Sequence, residues 1–204
     1  MDEAVLMEVR RLLAPEDDAL LTARRRAMSI DPPSPEVGAL LRWAARTVQA
    51  RGVVEVGAAG GVSGGWLLPE LPIRGVLTSI EPDPHAHGLA TDAFASLSAG
   101  ARVRSILGPA TTVLDRLSDD AYDLVLLQSR PAVTPALLTH AARLLRPGGM
   151  LLIRGVLRGG EHADQVAAAL QVLAEGEPFL ATVLPVELGL VIATRMPLAA
   201  PGAA

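Results

Sequence analysis

The spacing of apolar positions changes near residue 50, and the two parts of the chain predict different architectures. Before that point apolar residues recur at helical spacing, as in the stripe formed by Val5, Leu6, Val9, Leu12 and Leu13. Ser34 followed by Pro35 is a strong helix start, and the apolar face of that helix continues to Val48. We therefore predict that residues 1–50 form a helical cover over one end of a sheet, able to close a site or contact a second subunit.

From Gly52 onward, short apolar runs alternate with helical segments. The predicted strands cover residues 53–56, 76–80, 102–107, 122–127, 150–153, 179–186 and 190–196. The last two runs are joined through Glu187, Leu188 and Gly189, which is too short for a crossover and predicts an antiparallel hairpin. Residues 51–196 are thus predicted to form an α/β domain with a mostly parallel seven-stranded sheet flanked by helices. Residues 197–204 are predicted to be a disordered tail.

A glycine-rich turn lies between the first strand and the helix that follows it. The strand Val53–Val56 runs into the glycines between residues 57 and 65, and the chain resumes as a helix at Trp66. Glycines let a ligand approach the backbone, and the free N–H groups of a helix N-terminus attract an anion. Glu81 ends the next strand, and an acid about twenty residues beyond such a turn is placed to hold a ribose diol. Together these two features predict a nucleoside cofactor.

Other uses of a glycine turn can be compared residue by residue. The NAD fingerprint would need glycine where the chain has Ala59 and Val62, and a Walker phosphate loop needs a lysine, which this sequence lacks entirely. The segment from Gly61 to Gly65 does match the G-x-S-x-G elbow of hydrolases, with Ser63 as the nucleophile. A Ser63 hydrolase and a turn used only for packing therefore stay open as alternatives.

Composition and charge exclude several classes of function. The 204-residue chain has a formal net charge of -4, which gives no case for nucleic-acid binding. It has no cysteine, which excludes disulfides, cysteine nucleophiles and thiolate metal sites. The acidic start Met1-Asp2-Glu3 is unlike a signal peptide, and no apolar run approaches the ~20 residues of a membrane span. We expect a cytoplasmic protein with no nucleic-acid or membrane partner.

Five βα units closed by a hairpin, together with the motifs they carry, resemble the class I S-adenosylmethionine-dependent methyltransferases. The segments that resemble the glycine motif, the ribose-binding acid, the adenine-framing segment and the turn before strand five are Glu55–Gly61, Glu81, Leu107–Thr111 and Leu145–Gly149. Within that class, Ser34–Gly38 and Gly61–Ser63 resemble small-molecule O-methyltransferases related to catechol O-methyltransferase. The resemblance extends from about residue 19 to residue 196 and implies a Rossmann-like methyltransferase fold.

The resemblance implies S-adenosylmethionine as the cofactor and assigns roles to the residues around it. Glu81 would accept both ribose hydroxyls, and Ser63 would bond the methionine carboxylate. Glu55 would either accept N–H groups of the glycine turn or help to fix the cofactor ammonium. The residues implied to bind the cofactor are Glu55, Gly57, Ala58, Ala59, Gly61, Ser63, Glu81, Pro82, Gly108, Pro109, Ala110 and Gln128.

The chain departs from the family's divalent-metal enzymes on the acceptor side of the site. Those enzymes place an Asp at the end of strand four and an Asp-Asn pair at the end of strand five, where this sequence has Gln128 and Arg154-Gly155. The lysine that assists deprotonation also has no counterpart, since Arg130 and Pro131 lie there. The resemblance therefore implies an intact cofactor half of the site and no metal.

No catalytic base is assigned. Among the histidines, His162 is placed just past strand five, on the side where an acceptor should lie. His85 and His87 are expected at the surface near the adenosine, and His140 in a covering helix. Trp43, in the N-terminal cover, is the best candidate for an aromatic wall of the pocket, with packing in the core as an equal alternative.

The leading functional prediction is methyl transfer from S-adenosylmethionine to a hydroxyl of a small molecule, without a divalent metal. An alternative of another class is a protein that holds the cofactor or its demethylated product without catalysis. The Ser63 hydrolase is a third, weaker alternative. The N-terminal helices also suggest a homodimer.

Overall fold

The computed structural model describes residues 2–128, 133–159, 163–175 and 178–197. The helices are α1 (Glu3–Leu13), α2 (Asp18–Ala27), α3 (Pro35–Thr47), α4 (Val62–Leu67), α5 (Pro84–Ser96), α6 (Ala110–Leu114), α7 (Pro135–Leu144) and α8 (Ala163–Ala174). The strands are β1 (Gly52–Val56), β2 (Val76–Glu81), β3 (Val103–Leu107), β4 (Tyr122–Gln128), β5 (Leu145–Arg154), β6 (Phe179–Leu184) and β7 (Leu190–Arg195). Two short 3-10 turns, Met28–Ile30 and Ala59–Gly61, contribute to the site described below.

The seven strands form one sheet in the order β3-β2-β1-β4-β5-β7-β6. Strands β1 to β5 are parallel, whereas β7 runs antiparallel to both β5 and β6. The predicted α/β fold with a C-terminal antiparallel hairpin is thus confirmed. Strand β5 begins at Leu145, earlier than predicted, because Leu145 already pairs with Tyr122 before a shift in register.

The two central strands are buried on both faces because helices cover each side of the sheet. Val53 and Leu124 belong to one apolar cluster, whereas Val54 and Val125, which follow them in the same strands, belong to another. This alternation follows from the two-residue period of a strand. Burial on both faces explains why β1 and β4 are nearly continuous apolar runs, and it makes the fully buried acid Glu55 conspicuous.

The N-terminal helices pack against the α/β part to different extents. Asp2 and Ser34 cap α1 and α3, each side chain accepting a backbone N–H of the first turn, and the helix start predicted at Ser34 is thus confirmed. Helix α2 lies against α5 and the 3-10 turn Ala59–Gly61, and α3 lies against α4. Helix α1 instead buries none of its residues. Its apolar stripe is left uncovered by the described part of the chain.

The predicted tail lies outside the described residues, apart from Pro197. None of the helices that the structure describes is both long enough and apolar enough to cross a membrane.

Candidate functional site

A cavity opens at one edge of the sheet, beyond the carboxyl ends of its central strands. Ligands of open α/β sheets bind where the strand order reverses, and here the reversal falls at β1, which has β2 on one side and β4 on the other. The cavity has a volume of about 450 Å³. From the predicted cofactor-binding set, Ala59, Glu81, Pro82 and Gln128 line it.

Another part of the cavity wall includes two residues, Ile30 and Asp31, that the sequence did not indicate. Ile30 and Asp31, which follow α2, line the cavity together with Arg154 at the end of β5. Asp31 is an isolated acid ahead of two prolines, and no local pattern marks it as part of a site. Its place is set by contacts with residues more than 120 positions away along the chain.

The glycine turn is shaped by its own backbone and by its helical neighbours. Gly57 and Gly61 have φ values of 86° and 83°, a left-handed conformation that glycine adopts without strain. A Cβ at Gly61 would lie 2.6 Å from Cβ of Ala93, and one at Gly60 would lie 2.6 Å from Cβ of Ala27. Packing against α5 and α2 therefore accounts for Gly60 and Gly61. Cofactor contact at Gly57, Ala58 and Gly61 stays a prediction.

Glu81 connects the glycine turn to the end of β2. Its side chain accepts hydrogen bonds from the N–H of Ala58 at 2.8 Å through Oε2 and from the N–H of Asp83 at 3.1 Å through Oε1. Each carboxylate oxygen accepts about two hydrogen bonds, so both keep capacity for a further donor from the cavity. Glu81 thus presents two acceptors where the sequence predicts a ribose diol.

Glu55 lies within β1 and has no exposed surface. Its Oε2 accepts a hydrogen bond from Ser63 Oγ at 2.7 Å, and its Oε1 has no hydrogen-bond partner among the described residues. Burial raises the pKa of Glu55 to about 7, against the lowering effect of the Ser79 and Ser63 hydroxyls. The predicted bond to N–H groups of the glycine turn does not form among the described residues, and contact with a cofactor ammonium stays a prediction.

Ser63 lies beneath the glycine turn and is fully buried. Its hydroxyl donates to Glu55, and Gln128 Nε2 donates to the same oxygen at 3.1 Å. A serine nucleophile has to be exposed at its turn and paired with a base such as histidine. The arrangement is therefore inconsistent with the Ser63 hydrolase. Contact between Ser63 and a cofactor carboxylate stays a prediction.

Gln128 and Arg154 lie side by side at the ends of β4 and β5. They are register partners, and Arg154 Nη1 donates to Gln128 Oε1 at 3.4 Å. Both residues are only 4% exposed. Within the described ranges, no three histidine, aspartate or glutamate side chains are grouped as a metal ion would require. Arg130 and Pro131, which the sequence places near this point, lie outside the described residues.

The segment predicted to frame the adenine follows β3. Gly108, Pro109 and Ala110 form the entry to α6, and the Gly108 N–H donates to the backbone oxygen of Glu81 at 3.1 Å. The segment therefore lies beside the end of β2, next to the residue predicted to hold the ribose. Its contact with an adenine stays a prediction.

The remaining predicted positions divide between the cavity and the surface. His85 lines the cavity, whereas His140 lies on α7, with its Nε2 3.6 Å from a carboxylate oxygen of Asp115. His162 lies outside the described residues. Trp43 is 55% exposed and does not line the cavity, so its prediction as an aromatic wall is wrong. It lies on the outer side of α3, since the buried face of that helix is formed by other positions.

Comparison with known proteins agrees with a methyltransferase site. The chain matches the model of a family described as O-methyltransferase over residues 16–194. A protein of Mycobacteroides abscessus, provisionally named an O-methyltransferase, is 41% identical over 192 residues, which cover 88% of this chain and 89% of that protein. This chain therefore belongs to the O-methyltransferase family.

Solved structures share the fold over nearly the whole chain. A protein of Klebsiella pneumoniae, also provisionally named an O-methyltransferase, is 25% identical with a TM-score of 0.86, covering 95% of this chain and 97% of that one. The O-methyltransferase TomG of Streptomyces achromogenes, involved in tomaymycin synthesis and solved with S-adenosylmethionine, is 26% identical with a TM-score of 0.83. That match covers 97% of this chain and all of TomG.

Proposed function

We propose that this protein transfers a methyl group from S-adenosylmethionine to a hydroxyl of a small molecule without the help of a divalent metal. As a member of its family, the protein is an S-adenosylmethionine-dependent O-methyltransferase of small molecules. The observation that carries the proposal is the cavity at the strand-order reversal, where Glu81 presents carboxylate oxygens beside the glycine turn.

The side chains around the cavity suit this cofactor. Glu81 retains acceptor capacity on both oxygens, which matches the two hydroxyls of a ribose. Glu81 and Asp83 contribute two carboxylates to the lining, whereas the third carboxylate, of Asp31, is paired with Arg154 and Arg158. An acidic lining favours a ligand that carries positive charge, such as a sulfonium with an ammonium group.

The role left to the chain in methyl transfer is mainly positioning. S-adenosylmethionine supplies a methyl group on a positively charged sulfur, which an acceptor oxygen can take directly as it loses its proton. Ile30 and Asp31 close the cavity between the glycine turn and the end of β5, because Ile30 lies beside Gly60 and Asp31 binds Arg154. Holding an acceptor there in line with the methyl group, away from bulk water, would supply much of the rate.

The ends of β4 and β5 do not fit a divalent ion. Magnesium and calcium bind carboxylate and carbonyl oxygens, but the three relevant positions hold a neutral amide, a guanidinium and a glycine: Gln128, Arg154 and Gly155. The guanidinium is permanently charged. At an effective dielectric of 20 it would repel a divalent ion ~4 Å away by about 8 kcal/mol.

Two measurements test the proposal. Calorimetry with S-adenosylhomocysteine and S-adenosylmethionine should show binding of both, and a panel of small hydroxyl compounds should include acceptors that become methylated. Absence of binding would contradict the proposal outright. Binding without methyl transfer to any acceptor would favour the non-catalytic binding protein instead.

We also propose that the protein is a homodimer that uses α1. The apolar side chains of this helix are exposed, including Val5 at 60%, Leu12 at 58% and Leu13 at 72%. An isolated helix of 11 residues is only marginally stable in water, so a helix with no fully buried residue, joined to α3 by the Arg10–Glu36 pair, gains stability from an external contact.

Sedimentation velocity tests the dimer directly. The double variant Val9→Glu/Leu12→Glu should sediment as a monomer, whereas the unmodified protein should sediment as a dimer. Ile73→Glu is the matched control, because Ile73 is an exposed apolar residue outside α1. A monomeric unmodified protein, or a double variant that remains dimeric, would contradict the proposal.

A further inference from the structure

The guanidinium of Arg154 uses all of its hydrogen-bond donors inside the protein. Its Nε donates to Glu187 Oε2 at 3.0 Å. Its Nη1 donates to the backbone oxygen of Asp31 at 3.0 Å and to Gln128 Oε1 at 3.4 Å. Its Nη2 donates to Asp31 Oδ2 and to the backbone oxygen of Pro32, both at 3.3 Å. Arginine has five N–H donors, so none is left for an acceptor molecule.

The acceptors of these five bonds come from three separate parts of the chain. Residues 31–32 belong to the segment between α2 and α3, Gln128 ends β4, and Glu187 lies in the loop between β6 and β7. Glu187 also accepts the backbone N–H of Ser34, and Asp31 pairs with Arg158 as well. Arg154 is therefore the centre of a cluster that fixes the segment between α2 and α3 to the sheet.

The backbone angles of two residues in this cluster also indicate that its contacts hold the chain in place. Asp31 and Glu187, the two acids that hold Arg154, have φ values of 57° and 48°. A left-handed conformation is uncommon for residues other than glycine, although aspartate and asparagine adopt it more readily than most, and contacts with neighbouring residues stabilise it. Arg154 supplies such contacts for Asp31, whose side chain and backbone oxygen both bind it.

The fixed segment forms part of the cavity. Ile30 and Asp31 line it, and Ala27 and Ile30 approach the glycine turn so closely that a Cβ at Gly60 would meet Ala27 Cβ at 2.6 Å and Ile30 Cδ1 at 3.4 Å. Loosening residues 28–34 would thus open the cavity on the side facing the turn.

Arg154 is also the first member of a buried chain of hydrogen bonds that runs beneath the glycine turn. Arg154 donates to Gln128 Oε1, Gln128 Nε2 donates to Ser63 Oγ, and Ser63 donates to Glu55 Oε2. All four residues are at most 4% exposed. The guanidinium donor therefore selects the orientation of the Gln128 amide, because an amide turned the other way would place its NH₂ against Arg154.

From this geometry we infer that Arg154 is a positioning residue: it holds residues 28–34 as the wall of the cofactor and acceptor cavity, at the place where metal-dependent relatives would carry a ligand. It acts through Asp31 and Gln128 rather than by touching an acceptor. The inference rests on the proposed function only where S-adenosylhomocysteine binding is measured.

The test compares Arg154→Met, which removes every donor but keeps much of the stem, with Arg154→Lys, which restores the charge. Arg195→Met is the matched control, since Arg195 is also a largely buried arginine and is paired with an acid, Asp120. It lies at the far end of β7, five residues beyond Leu190, which is the residue of β7 that pairs with Arg154 in the sheet. Hydrogen–deuterium exchange of peptides spanning residues 28–40 and calorimetry with S-adenosylhomocysteine are measured on each intact variant.

Arg154→Met should speed exchange in residues 28–34 and weaken S-adenosylhomocysteine binding, each by about tenfold, as expected for loss of buried charged hydrogen bonds. Exchange in β1 and β4 should not change. Arg154→Lys should recover part of the affinity, because one ammonium cannot reach all five acceptors. Arg195→Met should change neither quantity.

Several outcomes would overturn the inference. The inference fails if Arg154→Met changes neither the exchange of residues 28–34 nor the affinity for S-adenosylhomocysteine. It also fails if Arg195→Met loses as much affinity as Arg154→Met, since a general loss of stability would then explain both results. If Arg154→Met does not fold, Asp31→Asn replaces it, because asparagine tolerates a left-handed backbone. It should speed exchange in residues 28–34 by about threefold, and no change would overturn the inference. If the unmodified protein binds no S-adenosylhomocysteine, the proposed function fails, while the exchange measurements still decide the role of Arg154.

Discussion

The two sides of the cavity are held in shape by different kinds of interaction. On the side of β1 and β2, Glu81 binds backbone N–H groups, and the glycine turn is fixed by left-handed φ values and by contact with α2 and α5. On the side of β4 and β5, hydrogen bonds of side chains hold the cavity in shape, because Arg154 binds acceptors from three separate segments.

This difference explains how one side can change its chemistry while the other keeps it. A side chain that binds backbone near a glycine turn has few substitutes, because the turn itself depends on it. Positions 128 and 154 are register partners through their backbones, whatever side chains they carry. The side chains at these two positions can therefore differ without disturbing the pairing of β4 and β5.

The largest effect is expected at the glycine turn. Gly61→Ala would place a methyl group 2.6 Å from Cβ of Ala93 and 3.2 Å from the backbone oxygen of Ala90, at a φ of 83°. Overpacking and a left-handed alanine together should destabilise the protein by about 3 kcal/mol, measured by urea unfolding.

Gly88→Ala is the control for that variant. Gly88 lies in α5, and nothing lies within 4 Å of the Cβ it would gain. This substitution should stabilise the helix by up to about 1 kcal/mol. If Gly61→Ala is as stable as Gly88→Ala, packing against α5 does not determine the turn.

The next effect concerns Glu81. Glu81→Ala should weaken S-adenosylhomocysteine binding at least about tenfold in calorimetry, since hydrogen bonds to a charged acceptor contribute about 1.5–3 kcal/mol each. It should also lower the free energy of unfolding by about 1–3 kcal/mol, because the N–H groups of Ala58 and Asp83 lose their acceptor. Glu81→Gln, which keeps one oxygen, should lose less affinity for S-adenosylhomocysteine and less free energy of unfolding than Glu81→Ala. Unaltered affinity in Glu81→Ala would remove the ribose assignment.

Glu55 makes stability depend on pH. Its pKa is raised from 4.5 to about 7 in the folded state, chiefly by burial, so the folded protein binds this proton more tightly than the unfolded chain. The resulting stabilisation is full below pH 4.5 and is lost as pH rises through 7. Between pH 6 and pH 8 the loss should be about 1 kcal/mol.

Glu55→Gln isolates this effect because glutamine stays neutral at both pH values. Its amide oxygen can still accept from Ser63, and its NH₂ could donate to Ser79 Oγ, which has no hydrogen-bond partner among the described residues. Urea unfolding of both proteins at pH 6 and pH 8 gives the difference directly. Identical pH dependence in the two proteins would show that Glu55 does not titrate in this range.

The sequence predicts the cofactor side of the molecule better than the acceptor side. The glycine turn, the Ser34-Pro35 helix start and the short hairpin loop are all signals carried by residues close together in the chain. Glu81 is predicted as a site residue because it follows the glycine turn by about twenty residues. These features predict a mostly parallel sheet with a C-terminal antiparallel hairpin, an arrangement that leaves few alternative topologies, whereas the strand order itself comes from the structure.

The acceptor side depends on contacts between distant residues. Arg154 binds Asp31 across 123 positions, and Glu187 binds the N–H of Ser34 across 153 positions. Nothing in the local pattern around Asp31 or Glu187 indicates an arginine partner. The exposure of Trp43, by contrast, agrees with the helical spacing, because Trp43 lies on the face of α3 opposite Val37 and Leu41.

The last prediction is that removal of divalent metal has no effect, and it tests the difference between the two sides of the cavity most directly. Treatment with EDTA, followed by excess magnesium, should leave S-adenosylhomocysteine affinity and any methyl transfer unchanged. The cofactor side needs no ion, because Glu81 binds backbone N–H groups and keeps free acceptor capacity. On the acceptor side an ion would have to displace a guanidinium that donates five hydrogen bonds, and the displaced guanidinium would remain a buried charge without its partners. Activity that EDTA abolishes and magnesium restores would contradict both the metal-free proposal and the position assigned to Arg154.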